Sequence, residues 1–267
     1  TKTLDVDGGT IKLDGNYPNG TNNVGLGDGA FAGSLSGDSN VAIGYQSHYS
    51  LTSGNANTSV GRGSGFAITT GTSNVAVGYT ALSSNTTASN NTAVGYQAGY
   101  SNTTGTELTA IGYHSGKSNT TGAANTAVGF NSLTLNTTGA TNNAFGSGAL
   151  YNNTTGSDNV AVGVNTLVTN TTGGNNVGVG RNAGFSNTTG ASNSYIGSNA
   201  GYTNTTGASL SAVGVGALYA NTTGSNNVAM GTSSLVSNTI GAYNTGLGRD
   251  ALRNNTTASG NTAVGYN

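Results

Sequence analysis

One glycine recurs every seventeen residues along most of this chain, and this period constrains the fold more than any other feature. The glycine ends a motif in which Asn is followed by Val or Thr, then Ala, then Val or Ile. We call it the reference glycine, and its fifteen copies are Gly27, Gly44, Gly61, Gly78, Gly95, Gly112, Gly129, Gly146, Gly163, Gly180, Gly197, Gly214, Gly231, Gly248 and Gly265. A period kept without insertion or deletion indicates that each residue stacks on its counterpart in the next coil.

The two residues before the reference glycine indicate a short β-strand with two closely packed faces. The residue directly before the glycine is large and apolar in every unit, and the one before it is nearly always Ala, Gly or Ser, with Tyr195 the exception. Neighbouring strand residues point to opposite faces, so both faces look buried. Because a coil has one interior, we expect the second face to pack outside the coil, most economically against another copy. The sequence therefore predicts an all-β parallel β-solenoid of fifteen 17-residue coils.

Two positions carry Asn in most units, at the head of the Asn-x-Ala-x-Gly motif and at the head of an Asn-Thr-Thr-Gly motif. Leu108 and Leu210 replace the first Asn, and Leu35, Leu51 and Ile68 replace the second. An amide that exchanges with Leu is expected inside the coil, in ladders that bond the coils above and below. The alternative is an Asn that caps a turn at a half-exposed corner.

Asn-Thr-Thr-Gly is typical of a turn, in which we expect the glycine to supply a positive φ. Ala88 and Ala258 replace this glycine, so the requirement is not absolute. The third residue after the reference glycine is small in every unit, which predicts a tight spot there.

Two segments are predicted. Residues 1–19 alternate apolar and polar residues around Asp7-Gly8-Gly9-Thr10, the pattern of a β-hairpin that caps or links the solenoid. Residues 20–267 form the solenoid, whose last unit is incomplete, so we expect it to be truncated at its C-terminal end and to belong to a longer fibre.

The composition argues against most chemical functions. Only 6% of the 267 residues are charged and the net charge is −1, so we expect no nucleic-acid partner, and without a long apolar run we expect no membrane insertion. His48 and His114 occupy different places in the repeat and are expected at the surface, and the acidic residues are scattered. Asp5, Asp7 and Asp14 lack the ligand series of a calcium loop. We therefore expect no catalytic residue, no metal, no cofactor and no enzymatic activity.

Aromatic side chains are the remaining candidates for ligand contact, and they fall in two ranks. The first aromatic ladder comprises the residues directly after the reference glycine, and the second comprises those five residues after it. Their candidate tyrosines are Tyr45, Tyr79, Tyr96 and Tyr113 in the first ladder, and Tyr49, Tyr100, Tyr151, Tyr202 and Tyr219 in the second. Such ladders could stack on sugar rings or proteins, or stack along the solenoid or across a seam between chains.

The repeat resembles two families of attachment proteins. Residues 39–44 and 158–163, each followed three residues later by Ser or Thr, resemble the head repeat of trimeric autotransporter adhesins. Residues 91–105 are more similar to phage tail fibres that end in a self-cleaving chaperone domain, and residues 4–18 resemble the lead-in of such fibres. The resemblance implies a homotrimeric β-roll or β-helix, although the period is longer than that of the adhesin repeat.

We therefore expect a non-enzymatic shaft or head segment of a trimeric attachment fibre, which binds a host-cell surface glycan or protein receptor. Its expected location is the virion, as a tail fibre, or the extracellular space or cell surface. The alternatives are a bacterial surface adhesin head, a self-polymerising extracellular filament and an ice-binding solenoid. The last is suggested by the regular rank of Thr that begins at Thr103.

Overall fold

A computed structural model describes residue 20 and residues 22–266, so the hairpin expected at 1–19 lies outside the described residues. The described chain is all-β, with strands of three residues that each end just before a reference glycine. The strands are β1 Val24–Leu26, β2 Val41–Ile43, β3 Thr58–Val60, β4 Val75–Val77, β5 Thr92–Val94, β6 Thr109–Ile111, β7 Thr126–Val128, β8 Asn143–Phe145, β9 Val160–Val162, β10 Val177–Val179, β11 Ser194–Ile196, β12 Ser211–Val213, β13 Val228–Met230, β14 Thr245–Leu247 and β15 Thr262–Val264.

All fifteen strands form one parallel sheet in the order of the sequence, from β1 to β15. The register advances by one repeat at each step, so that Ala110 lies opposite Ala127 and Ile111 opposite Val128. A parallel sheet whose neighbours in space are neighbours in sequence requires the chain to wind once per repeat. The predicted β-solenoid is confirmed.

The inner face of the sheet is the face that carries the small residues. The middle residue of almost every strand is buried, and it is Ala in most coils, as in Ala110 and Ala127. The small residue three positions after the reference glycine is buried as well. The next residue, four after the glycine, supplies much of the apolar volume, as in Leu133, Leu150 and Leu167. The spacing of residues in the sequence does not identify this position as interior.

These leucines point inward from a left-handed backbone conformation that non-glycine residues seldom adopt. Leu133 has φ 49°, Leu150 φ 51° and Leu167 φ 50°. A side chain in this region costs of the order of 1 kcal/mol locally, so the surrounding packing must hold it there. Glycine replaces Leu at the same position in several coils, with the same sign of φ, as at Gly99 and Gly184.

Where this position is glycine, a larger neighbour fills the space. A Cβ added to Gly99 would lie 3.1 Å from the Cδ2 atom of Leu108, the residue that replaces Asn at the head of its motif. A Cβ on Gly184 would lie 2.6 Å from the Tyr195 ring, and Gly201 faces the other side of that ring. The departures from the repeat at Leu108 and Tyr195 therefore compensate for volume missing from adjacent coils.

Both Asn ladders lie inside the coil, as expected, and their members are fully buried except in the terminal coils, where Asn23, Asn255 and Asn261 are half-buried. In the first ladder, the backbone N–H of Asn57 donates to the Asn40 Oδ1 atom at 2.9 Å, and its Nδ2 donates to the Gly71 carbonyl at 2.8 Å. In the second, Asn136 Nδ2 donates to Asn119 Oδ1 at 2.7 Å and to the Gly139 carbonyl at 2.8 Å. The second ladder thus also caps its own turn, but from a buried position.

The turn glycine follows a different rule from the one expected. The expectation of a positive φ at this position is wrong, because the left-handed residues of each coil are elsewhere and Gly105 and Gly139 are not among them. Instead, a Cβ on Gly105 would lie 2.5 Å from both the Asn102 Oδ1 atom and the Gly122 carbonyl oxygen. Glycine is favoured here by the close approach of adjacent turns, although Ala88 and Ala258 occupy the same position in two coils.

Candidate functional surface

The outer face of the sheet is an apolar stripe that the coil leaves uncovered. It comprises the last residue of each strand, and the side chains of Ile111, Val162 and Met230 are 40%, 40% and 46% exposed. Monomeric soluble proteins rarely expose a contiguous apolar surface that runs their full length. The stripe therefore fits the expectation that this face packs outside the coil.

The first aromatic ladder is an ordered stack on the surface. The Tyr79 and Tyr96 ring centroids are 5.3 Å apart, those of Tyr96 and Tyr113 are 5.2 Å apart, and those of Tyr113 and Phe130 are 5.3 Å apart, with interplanar angles of 7°, 10° and 12°. Below Tyr79, the Arg62 guanidinium lies 5.8 Å from its ring and 5.5 Å from the Tyr45 ring. Arg62 thus continues the stack as a cation between two ring faces.

The second aromatic ladder is stacked in two separate runs. Phe185 and Tyr202 are 5.0 Å apart, and Tyr202 and Tyr219 are 5.1 Å apart at an angle of 3°. Tyr49 stacks on Phe66 at 5.1 Å. The rank also contains two tyrosines without an aromatic residue at the equivalent position of either adjacent coil, namely Tyr100 and Tyr151.

Stacking between neighbouring rings limits which tyrosines could bind a ligand through a ring face. A sugar binds an aromatic residue through the face of the ring, and neighbouring coils already cover both faces of some rings. The tyrosines covered on both sides by a ring or guanidinium are Tyr79, Tyr96, Tyr113 and Tyr202. The candidates that keep at least one face without such a neighbour are Tyr45, Tyr49, Tyr100, Tyr151 and Tyr219. A ligand role for the candidate tyrosines stays a prediction. Binding by stacking on a ring face is restricted to the tyrosines that keep at least one face uncovered.

The two histidines differ in burial. The expectation of a surface position is wrong for His48, which is fully buried four residues after its reference glycine, at the position filled by Leu in other coils. Its Nδ1 atom lies 3.4 Å from the Ser59 Oγ atom, and its ring stacks on Phe31 at 5.9 Å. His114 is half-buried against Tyr113, with ring centroids 3.9 Å apart. In the sequence His48 aligns with the rank of leucines that includes Leu82 and Leu133, but the alignment alone does not show that this rank points inward.

Burial of His48 predicts acid sensitivity. Desolvation lowers the pKa of His48 from 6.5 to about 4, because the imidazolium loses its hydration inside the coil. Since the folded-state pKa is the lower one, the stability is fully present above pH 6.5 and is lost as the pH falls toward 4. The shift corresponds to about 3 kcal/mol between these limits. Chemical unfolding at a series of pH values measures it.

The control for this prediction is the double variant His48→Leu/Ser59→Ala, which copies the Leu82 and Ala93 pair found two coils further along. When the pH falls from 6.5 to 4, the decrease in the free energy of unfolding should be about 3 kcal/mol smaller for the double variant than for the unaltered protein. Identical pH profiles for the two proteins would show that His48 is not buried in its neutral form.

Comparison with protein-family models and with characterised proteins finds no match for this sequence. Within residue 20 and residues 22–266, no three His, Asp or Glu side chains group as metal ligands. The same described part of the chain contains no helix that is long and apolar enough to cross a membrane. The class that the fold defines is a β-solenoid repeat protein.

Proposed function

We propose that this chain is a non-enzymatic shaft or head segment of a homotrimeric attachment fibre, most economically a phage tail fibre that binds a host-cell surface. The observation that carries the proposal is the apolar stripe on the outer face of a sheet that runs without interruption from β1 to β15. A single coil cannot cover this face, and a second copy with the same stripe can. The resemblance of residues 91–105 to tail fibres supports the same assembly.

The extent of the stripe is sufficient for stable association. The stripe is present at all fifteen levels of the sheet, so that a partner could cover it along the whole rod, and a standard interface buries only ~800 Å² on each partner. The regular ladders of backbone and Asn hydrogen bonds would make such a rod stiff, because each coil is tied to both neighbours. Length and stiffness are the properties that a fibre needs in order to present a receptor-binding surface at a distance.

Ice binding is the alternative on which the geometry bears most directly. The Thr103 Oγ1 atom donates to the Thr120 carbonyl at 3.0 Å, and Thr137 Oγ1 donates to the Thr154 carbonyl at 3.0 Å. The hydroxyls of this rank are therefore engaged between coils and lie in a turn, which weighs against a flat ice-binding face. Thermal hysteresis in a solution of the protein would favour ice binding over the fibre. The bacterial adhesin head and the self-polymerising filament differ from our proposal only in what the solenoid is attached to or assembles with.

Val162→Asp tests the self-association. In the single chain Val162 is 40% exposed, so the coil should tolerate the carboxylate, whereas a trimer would bring three carboxylates into one apolar interface. We expect the wild type to sediment as a trimer at micromolar concentration, and Val162→Asp to shift it to the monomer with its circular dichroism preserved.

The matched control is Thr172→Asp, which adds the same charge to the same coil at an exposed turn position. It should leave the trimer intact. A wild-type protein that sediments as a folded monomer would refute the trimer, as would equal behaviour of the two variants.

A further inference from the structure

Three pairs of tyrosines in adjacent coils have parallel rings at the surface, where all of them are exposed except Tyr202, which is half-buried. These pairs are Tyr79 with Tyr96, Tyr96 with Tyr113, and Tyr202 with Tyr219. Their centroid separations are 5.1 to 5.3 Å. Tyr96 is 43% exposed and Tyr219 is 38% exposed, so a soluble oxidant can reach both ladders.

The parallel register also brings the two rings of each pair together. Their side chains leave equivalent positions of adjacent coils, and their ring planes are nearly parallel. The solenoid fixes the backbone spacing of the two tyrosines. Two phenoxyl radicals formed on one pair can therefore meet without the diffusion of one chain to another. Tyr202 and Tyr219, with an interplanar angle of 3°, are the most closely parallel pair.

We propose that these three pairs are sites of oxidative dityrosine cross-linking between coils. Each phenol gives one electron and one proton to the oxidant, and the two phenoxyl radicals couple through ring carbons ortho to their hydroxyls. One carbon–carbon bond forms, and the hydrogens on those carbons move to the oxygens and restore both phenols. Hydrogen peroxide, used by a haem peroxidase, accepts the two electrons and two protons and leaves as two molecules of water.

The cross-link would act as a covalent staple between adjacent coils. It would hold neighbouring coils at their native spacing in the unfolded chain, and so lower the entropy that the chain gains on unfolding. The expected consequence is a rod that is more resistant to heat after oxidation than before.

The experiment treats dilute protein with hydrogen peroxide and a haem peroxidase, and then maps the proteolytic peptides by mass spectrometry. We expect links within one chain, each with the loss of two hydrogens, at the three stacked pairs, together with dityrosine fluorescence and a higher melting temperature. Tyr100 and Tyr151, which lack an aromatic neighbour in their rank, are internal controls and should not be linked within the chain.

Tyr202→Phe is the matched variant, because Phe185 and Tyr202 show that a phenylalanine stacks in this ladder. It should remove the link to Tyr219, with the melting temperature before oxidation nearly unchanged, while the Tyr79, Tyr96 and Tyr113 links persist. The proposal is overturned if no links form. It is also overturned if links occur only between chains, or if Tyr100 and Tyr151 are linked within the chain as often as the stacked pairs.

Discussion

Replacing the reference glycine Gly129 by Ala should destabilise the solenoid by about 3 kcal/mol or more, one of the two largest effects that we expect from a single substitution. Gly129 has φ +136°, a conformation essentially restricted to glycine. In addition, the new Cβ would lie 2.7 Å from the Gly146 carbonyl oxygen in the next coil. The clash is with backbone, so it can be relieved only by separating the two coils and breaking their hydrogen bonds.

Gly216→Ala is the matched control for this prediction. Gly216 also has a positive φ, +66°, but a Cβ added there would meet nothing within 4 Å. Asn165 and Asn182 occupy the equivalent position of other coils with φ 53° and 56°. We expect a loss of about 1 kcal/mol or less. Urea unfolding of the two variants compares a glycine that both its φ and a close backbone contact require with one that neither requires, and equal losses would contradict the special role of the reference glycine.

Tyr195→Ala should cost about 4 kcal/mol, because it removes the largest fully buried side chain and leaves a cavity between two glycines. The Tyr195 hydroxyl also accepts a hydrogen bond from the Asn204 Nδ2 atom at 2.8 Å and donates one to the Asn187 Oδ1 atom at 3.3 Å. Burial raises the pKa of Tyr195, so the hydroxyl stays protonated and keeps both roles. Thermal or urea unfolding measures the loss.

The sharper form of this test is a double-mutant cycle with Gly184→Leu. Alone, Gly184→Leu should be destabilising, because its Cβ would lie 2.6 Å from the Tyr195 ring. Combined with Tyr195→Ala, it recreates the arrangement of Leu150 and Ala161 in another coil and should recover most of the lost stability. Additive losses would contradict the volume compensation, and Tyr219→Ala, on the exposed ladder, should cost far less than Tyr195→Ala.

Much of the fold follows from the spacing of residues in the sequence. A constant period determines which residues stack, so the positions of β1 to β15, their parallel order and the two Asn ladders could be predicted. The exchange of Asn with Leu at positions 108 and 210 favoured an interior position for these amides, and the structure buries them with hydrogen bonds between coils. The sequence also shows the apolar stripe and the two aromatic ladders, because residues of one type recur at the same position of many repeats.

The direction of individual side chains between the strands could not be predicted in the same way. The Leu rank and His48 point inward because their backbone is left-handed, and a sequence of ordinary residues carries no sign of that conformation. The requirement for glycine in the turn could not be predicted either, because its close contact with the next coil exists only once the coils are stacked.

The sequence by itself determined the repeat, the strand and the stacking partner of each residue, because these depend only on equal distances along the chain. The tertiary structure decided which ring faces of the tyrosines are covered, that His48 is buried, and how Tyr195 fits between Gly184 and Gly201. These features depend on distances of a few ångströms between different coils. Such distances are set by how the coils pack, which the period alone leaves open.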